Sequence, residues 1–255
     1  MQSKSETISE LKSLLALEYN CDAEDFDKPE NIITTAKDIP GRRIYSKQKE
    51  FFSMVTLGKN AVISADERMN PWLEKWSAGK EGIWLFEHAH LMELETELQK
   101  YGKSLQQSHH MFLPRPQIVE VQPGFEVRWF EQEEIGQLYG NPEFSNALCN
   151  CFKPERPDVL AVAAMQGEKI IGLAGCSADT KLFWQIGIDV LPQYRGRGIG
   201  TTLVQLLKNE TFRRGAIPFY GTSLSNLHSW NIAINCGFYP AWVEIATIEN
   251  VDKTS

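Results

Sequence analysis

Residues Gln185–Thr202 read Q-I-G-I-D-V-L-P-Q-Y-R-G-R-G-I-G-T-T. Ile186, Ile188 and Val190 alternate with Gln185, Gly187 and Asp189, the period of a half-buried strand. Pro192 stops the strand, because it has no N–H to give a ladder. Gly196, Gly198 and Gly200 follow, and then Ile199, Leu203, Leu206 and Leu207 recur at helical spacing. A helix therefore opens near Gly198 with its first amides unpaired. Those amides, the positive end of the helix dipole and the flanking Arg195 and Arg197 suit a diphosphate. The glycines let the main chain approach the anion without a Cβ in the way.

Three phosphate loops compete for this stretch. A Walker loop needs Lys after its last glycine, and Thr201 stands there. A dinucleotide fingerprint needs G-x-G-x-x-G and an acid about twenty positions on, whereas Tyr220–Leu224 carries none. The third pattern, R-x-x-G-x-G, is filled by Arg195, Gly198 and Gly200. Here the sequence resembles the GNAT superfamily of acetyl-CoA-dependent N-acetyltransferases, whose loop and helix start hold the pyrophosphate of coenzyme A. A second block strengthens the likeness. GNAT members commonly show Asn, a small residue at +3, an aromatic at +7 and Gly-Phe at +11. Asn226, Ser229 and Gly237-Phe238 fill three of those slots, and Ala233 stands where Tyr is usual. The resemblance spans Val119 to Glu249 and is most specific from Ile186 to Phe238. S-N-L-H-S before Gly-Phe, behind a long N-terminal extension, is similar to the zwittermicin-resistance type.

The resemblance implies acetyl-CoA as cofactor. Its pyrophosphate would lie on Arg195, Gly196, Arg197 and Gly198, and on the helix start Ile199, Gly200 and Thr201. Its pantetheine arm would run along Ile188 and Val190 like an added strand, with Asn226 and Ser229 nearby. A main-chain N–H near Val190 would face the thioester oxygen, a donor worth ~2.7–4 kcal/mol in an oxyanion hole. Asp189 is the ionisable residue on its strand face. It either takes the amine proton or, as Asp does at strand ends, bonds nearby backbone. Ser229 can hydrogen-bond the departing sulfur, with Tyr220 and Tyr239 as substitutes for the missing acid at Ala233. Asn226 suits a helix N-cap as well as a cofactor contact. The alternative reading is a GNAT-fold acyl-CoA-binding regulatory module that has lost turnover.

Composition sets bounds on these readings. With 255 residues, 42% hydrophobic and 23% charged, the chain suits one large or two modest globular domains. A net charge of −7 speaks against a nucleic-acid partner, which needs a basic stripe. No apolar run reaches the ~18 residues of a membrane span, and Met1–Glu10 lacks a signal-peptide core. Five cysteines without framework spacing argue for the reducing cytoplasm. His88, His90, Glu87 and Glu93 fall short of a zinc set, so no metal is expected. The expected partner is a small-molecule amine; a homodimer stays open.

The expected fold class is α+β: a small α+β domain over residues 1–116 and a GNAT acyltransferase fold over residues 117–255, divided at Met111–Pro116. Within the first, Thr7–Glu10 reads as a capping box for a helix, residues 20–41 as irregular and residues 51–64 as a hairpin. A short helix capped by Asp66, a strand at Ile83–Phe86 and a helix from His88 follow. Within the second, strands are expected at Val119–Val121 and Phe125–Phe130, and helices at Glu131–Tyr139 and Pro142–Cys151. Then come three antiparallel strands between Val159 and Val190, a helix, a strand at Ile217–Ser223, a helix from Asn226 and a strand at Phe238–Ile248.

Overall fold

The computed structural model describes residues 3–45 and 49–249. In chain order the elements begin with α1 (Lys4–Tyr19), β1 (Ile32–Thr35), β2 (Phe52–Thr56), β3 (Ala61–Ala65), α2 (Asn70–Ser77), α3 (His88–Gln99), β4 (Lys103–Leu105) and β5 (His109–Pro114). They continue with β6 (Glu126–Glu131), α4 (Gln132–Ile135), β7 (Asp158–Gln166), β8 (Lys169–Ala178), β9 (Phe183–Val190), α5 (Ile199–Arg213), β10 (Ile217–Ser223), α6 (Leu227–Asn235) and β11 (Phe238–Glu249). The chain divides into two compact units, Ser5–His110 with the stretch from Ala241, and Met111–Pro240 with the residues up to Lys4.

In the unit built on residues 5–110, β2 and β3 form the expected hairpin around Gly58, whose φ is +94°. β1 lies parallel to β3, and β11 runs antiparallel to β2. Phe52, Met54, Ile63 and Ile245 pack with Leu73, Leu94 and Leu98 from α2 and α3. Arg43 is buried between Glu18 and Glu244, at 2.7 and 2.8 Å, an arrangement that satisfies a charge the interior would otherwise penalise.

In the unit built on residues 111–240, the strand order is β5–β10–β9–β8–β7–β6. Alternation along β7 decides how the layers form. Leu160, Val162 and Ala164 pack with α5 residues Leu203, Val204 and Leu207. Ala161, Ala163 and Met165 pack on the other face, with Ile135, Phe144 and Leu148. Both faces of the sheet are therefore covered, and β8–β9 supply the floor of the site described below.

Four local expectations are corrected. α1 starts at Lys4, so Thr7 is an interior helical residue rather than a cap. Residues 20–41 contain a 3₁₀ turn and β1, because Ile-Ile-Thr-Thr is β-branched enough to add a strand to β3. Gly82–Phe86 is a 3₁₀ turn, not a strand. A Cβ on Gly82 would lie 2.1 Å from the Ala61 nitrogen, so this turn packs directly onto the β3 backbone. Val119–Val121 is no strand either: the Asn209 side-chain amide takes both the Val119 carbonyl and, at 3.4 Å, its N–H.

The stretch Pro142–Cys151 also departs from the expected helix, since only Pro142–Phe144 makes a 3₁₀ turn. The cause lies in two carboxylates. Asp189 accepts from the N–H groups of Asn146 and Ala147, and Asp158 accepts from that of Cys149. Amides that a lengthening helix would send to its own carbonyls are thus turned to side chains of β7 and β9.

Candidate active site

β9 and β10 are parallel, and their ladder runs over four pairs, from Ile217↔Phe183 to Tyr220↔Ile186. Beyond that point, among the described residues, β9 pairs with β8 alone, through Gly187, Ile188, Asp189 and Val190. β10 nonetheless continues to Ser223. The two strands therefore fork, and the second half of β9 has a free edge. The Leu191 N–H goes to the Ile171 carbonyl at 3.0 Å, on the β8 side. Alternation along a strand then turns the N–H groups of Val190 and Ile188 to the open edge. Their side chains lie partly buried against the core that α5 also closes.

From Val190 the chain makes a 3₁₀ turn at Pro192–Tyr194 and enters α5 through Gly196 and Gly198. Both glycines have positive φ, 75° and 76°, a left-handed conformation that a side chain disfavours by ~1–2 kcal/mol. Gly198 is the N-cap; the Thr202 N–H returns to its carbonyl, which leaves Ile199, Gly200 and Thr201 as the bare amides of the first turn. Arg195 and Arg197 are exposed beside them. Arg195 Nε donates to the Val190 carbonyl at 2.9 Å, and Arg197 lies 5.4 Å from the centre of the Tyr194 ring. A Cβ on Gly200 would lie 3.5 Å from Val190 and 3.2 Å from Ile232, so the helix start abuts the free half of β9 and α6 together.

Asn226 is the N-cap of α6, its Oδ1 accepting from the Ser229 N–H at 3.2 Å. Ser229 Oγ lies 2.7 Å from the Tyr220 hydroxyl. Tyr220 is buried, and burial pushes its phenol up to about 12, opposed in part by the hydrogen bond it shares with Ser229. Ala233, one turn further along α6, is completely buried with Tyr220 and Phe238. The fork, the bare amides, Asn226 and Ser229 thus come together. Tyr239 is held elsewhere, its ring 4.5 Å from Lys4 Nζ.

Asp189 points to the opposite face of β9. Its Oδ2 accepts from the Asn146 and Ala147 N–H groups at 2.7 and 3.0 Å, and its Oδ1 from Asn146 Nδ2 at 2.7 Å. The same loop lies directly on the sheet. Cβ atoms at Gly187 and Gly175 would fall 1.9 and 2.3 Å from the carbonyl oxygens of Asn146 and Ala147. Sequence reasoning missed this loop, because its partner sits far along the chain; the two strand-interior glycines were the available signal.

The residues present fit a coenzyme A thioester. Positive-φ glycines, exposed arginines and bare helix amides suit its diphosphate, and a strand edge with N–H groups to spare suits its amide-bearing arm. Residues 124–238 match the model of the Acetyltransferase (GNAT) family. Among solved structures, a GCN5-related N-acetyltransferase-like protein from Streptococcus suis 89/1591 is similar at 16% identity and TM-score 0.47, covering 63% of this chain and 68% of that one. A GCN5-related N-acetyltransferase from Kribbella flavida gives 15% identity and TM-score 0.46, covering 63% of this chain and 65% of its own. An acetyltransferase from the GNAT family of Colwellia psychrerythraea gives 13% and 0.42, covering 63% and 62%. The chain thus spans about two thirds of the length of these structures. No curated protein matches it.

Proposed function

We propose, on the premise that residues 124–238 form an acetyltransferase domain of the GNAT family, that this chain moves an acetyl group from acetyl-CoA to the amine of a small hydrophilic molecule. Transfer is direct, with both reactants held at once. The observation that carries the reading is the fork: β9 and β10 part after Ile186 and Tyr220 beside a helix start with bare amides.

Acetyl-CoA, when bound, supplies an activated acetyl thioester. The chain's own residues do the rest. Arg195, Arg197 and the amides of Ile199, Gly200 and Thr201 hold the diphosphate, with Gly196 and Gly198 letting the backbone close on it. The N–H of Ile188 would fix the arm along β9, and that of Val190 would face the acetyl oxygen as an oxyanion-hole donor. Ser229 gives a hydrogen bond to the sulfur, and Asn226 fixes the Ser229 backbone. Asp189 holds the Asn146–Ala147 loop on the face of β9 that carries Gly187. Much of the rate then comes from orientation, up to ~7–11 kcal/mol in favourable cases.

The narrower likeness to the zwittermicin-resistance type favours a small hydrophilic amine as acceptor, and the acidic net charge of −7 suits a cation. Five unpaired cysteines support a cytoplasmic setting. A second reading, a domain that binds acyl-CoA without turning it over, is favoured by one residue, Ala233. Incubation with acetyl-CoA and a panel of small amines, followed by free thiol, separates the two. Thiol release that depends on the amine supports the transferase; coenzyme A binding without release across the panel supports the second reading.

A further inference from the structure

Tyr220 occupies the last position of β10 that pairs with β9, so its side chain springs from the point where those two strands part. Its ring is enclosed with Ala233 and Phe238, and the tyrosine is only 2% exposed. Among the described residues, the partner of its hydroxyl is Ser229 Oγ, at 2.7 Å. Ser229 is only partly buried, and its backbone is pinned by the Asn226 cap.

Two hydroxyls in contact share one hydrogen, and burial decides which one. Were Ser229 the donor, the phenolic hydrogen would be left without a partner in an apolar core, a costly arrangement. With Tyr220 as donor, the Ser229 hydrogen is released toward the partly open side of α6. Resting on the acetyl-transfer reading, we infer that Tyr220 is a positioning residue that aims the Ser229 hydroxyl hydrogen at the sulfur of coenzyme A. In the transfer the N–C bond forms and the C–S bond breaks, the electron pair goes to sulfur, and the proton the amine loses balances the one the thiol gains. Tyr220 takes no net proton in this sequence; its phenol, held near 12 by burial, stays protonated. It occupies the core beside Ala233, so the pair substitutes for the aromatic acid that position lacks.

The test uses Y220F, S229A and the double variant, each read with coenzyme A itself. The pKa of the bound thiol is taken from the thiolate ultraviolet absorbance of the complex, corrected for free protein. In the wild-type complex it should lie below the ordinary ~8.5. In Y220F and in S229A it should rise by ~0.5–1 unit, the effect of one hydrogen bond, with the coenzyme A Kd changed less than about twofold. kcat should fall about 5–10-fold in each single variant and no further in the double variant. An unshifted thiol in Y220F, or losses that multiply in the double variant, would overturn the role of Tyr220 while leaving acetyl transfer intact. Absence of coenzyme A binding to the wild-type protein would overturn both.

Discussion

The Asp189 carboxylate accepts hydrogen bonds from both nitrogens of Asn146, backbone and side chain, each at 2.7 Å. With Ala147 as a third donor, the side chain ties β9 to a loop more than forty residues earlier in the chain. A carboxylate bonded in this way is a structural clamp, and its removal should be felt as such.

Asp189→Asn puts an NH₂ against groups that are themselves donors. The expected result is a stability loss of ~1–3 kcal/mol in urea unfolding, with a modest fall in kcat and an unchanged acidic limb of the pH–rate profile. A base at this position would instead give a fall of ~10²–10⁴-fold and abolish that limb.

Arg195 and Arg197 are exposed next to the opening amides of α5. Arg195→Ala should raise the coenzyme A Kd by ~10-fold or more, as loss of a charge-assisted contact does. The effect should shrink at high salt, because exposed charges are screened. Calorimetric titration at two ionic strengths reads both quantities.

Asp158 is buried at the start of β7, and burial lifts its carboxyl above the ordinary 3.8 against hydrogen bonds from Cys149 and Tyr139 that pull it down. The fold therefore holds this proton more tightly than the unfolded chain does. That contribution to stability is complete below the ordinary value and is lost as pH rises through the elevated one. Asp158→Asn, which stays neutral, should flatten the decline of stability as pH rises out of the ordinary carboxylate range. Urea midpoints measured across that rise check the sign.

Ala233 is completely enclosed in the core. Ala233→Tyr, which puts in the residue usual at this slot in the GNAT proteins the sequence resembles, should overpack that core and cost ~1–3 kcal/mol rather than raise kcat. A stable, faster variant would show that the position has room.

Much of this organisation was legible in the sequence where side-chain period and turn chemistry agree. Ile186, Ile188 and Val190 announced β9, and the glycines before Ile199 announced the start of α5. Asn226 read correctly as an N-cap. Short apolar runs misled, since Ile83–Phe86 has too few residues to separate a strand from a turn. Pro142–Cys151 misled because its amides are claimed by Asp158 and Asp189, partners that local propensity does not record. The fork itself was beyond periodicity. Gly221–Ser223 continue in β-strand like the residues before them, and only their pairing differs.

Coenzyme A is expected to bind along the free edge of β9 and against the first turn of α5. Amide hydrogen exchange with and without coenzyme A measures this residue by residue. Slower exchange is expected at Ile188, Val190 and Ile199–Thr201, with little change along the β7–β8 ladder. Binding that leaves those amides exchanging at their free rates would contradict it.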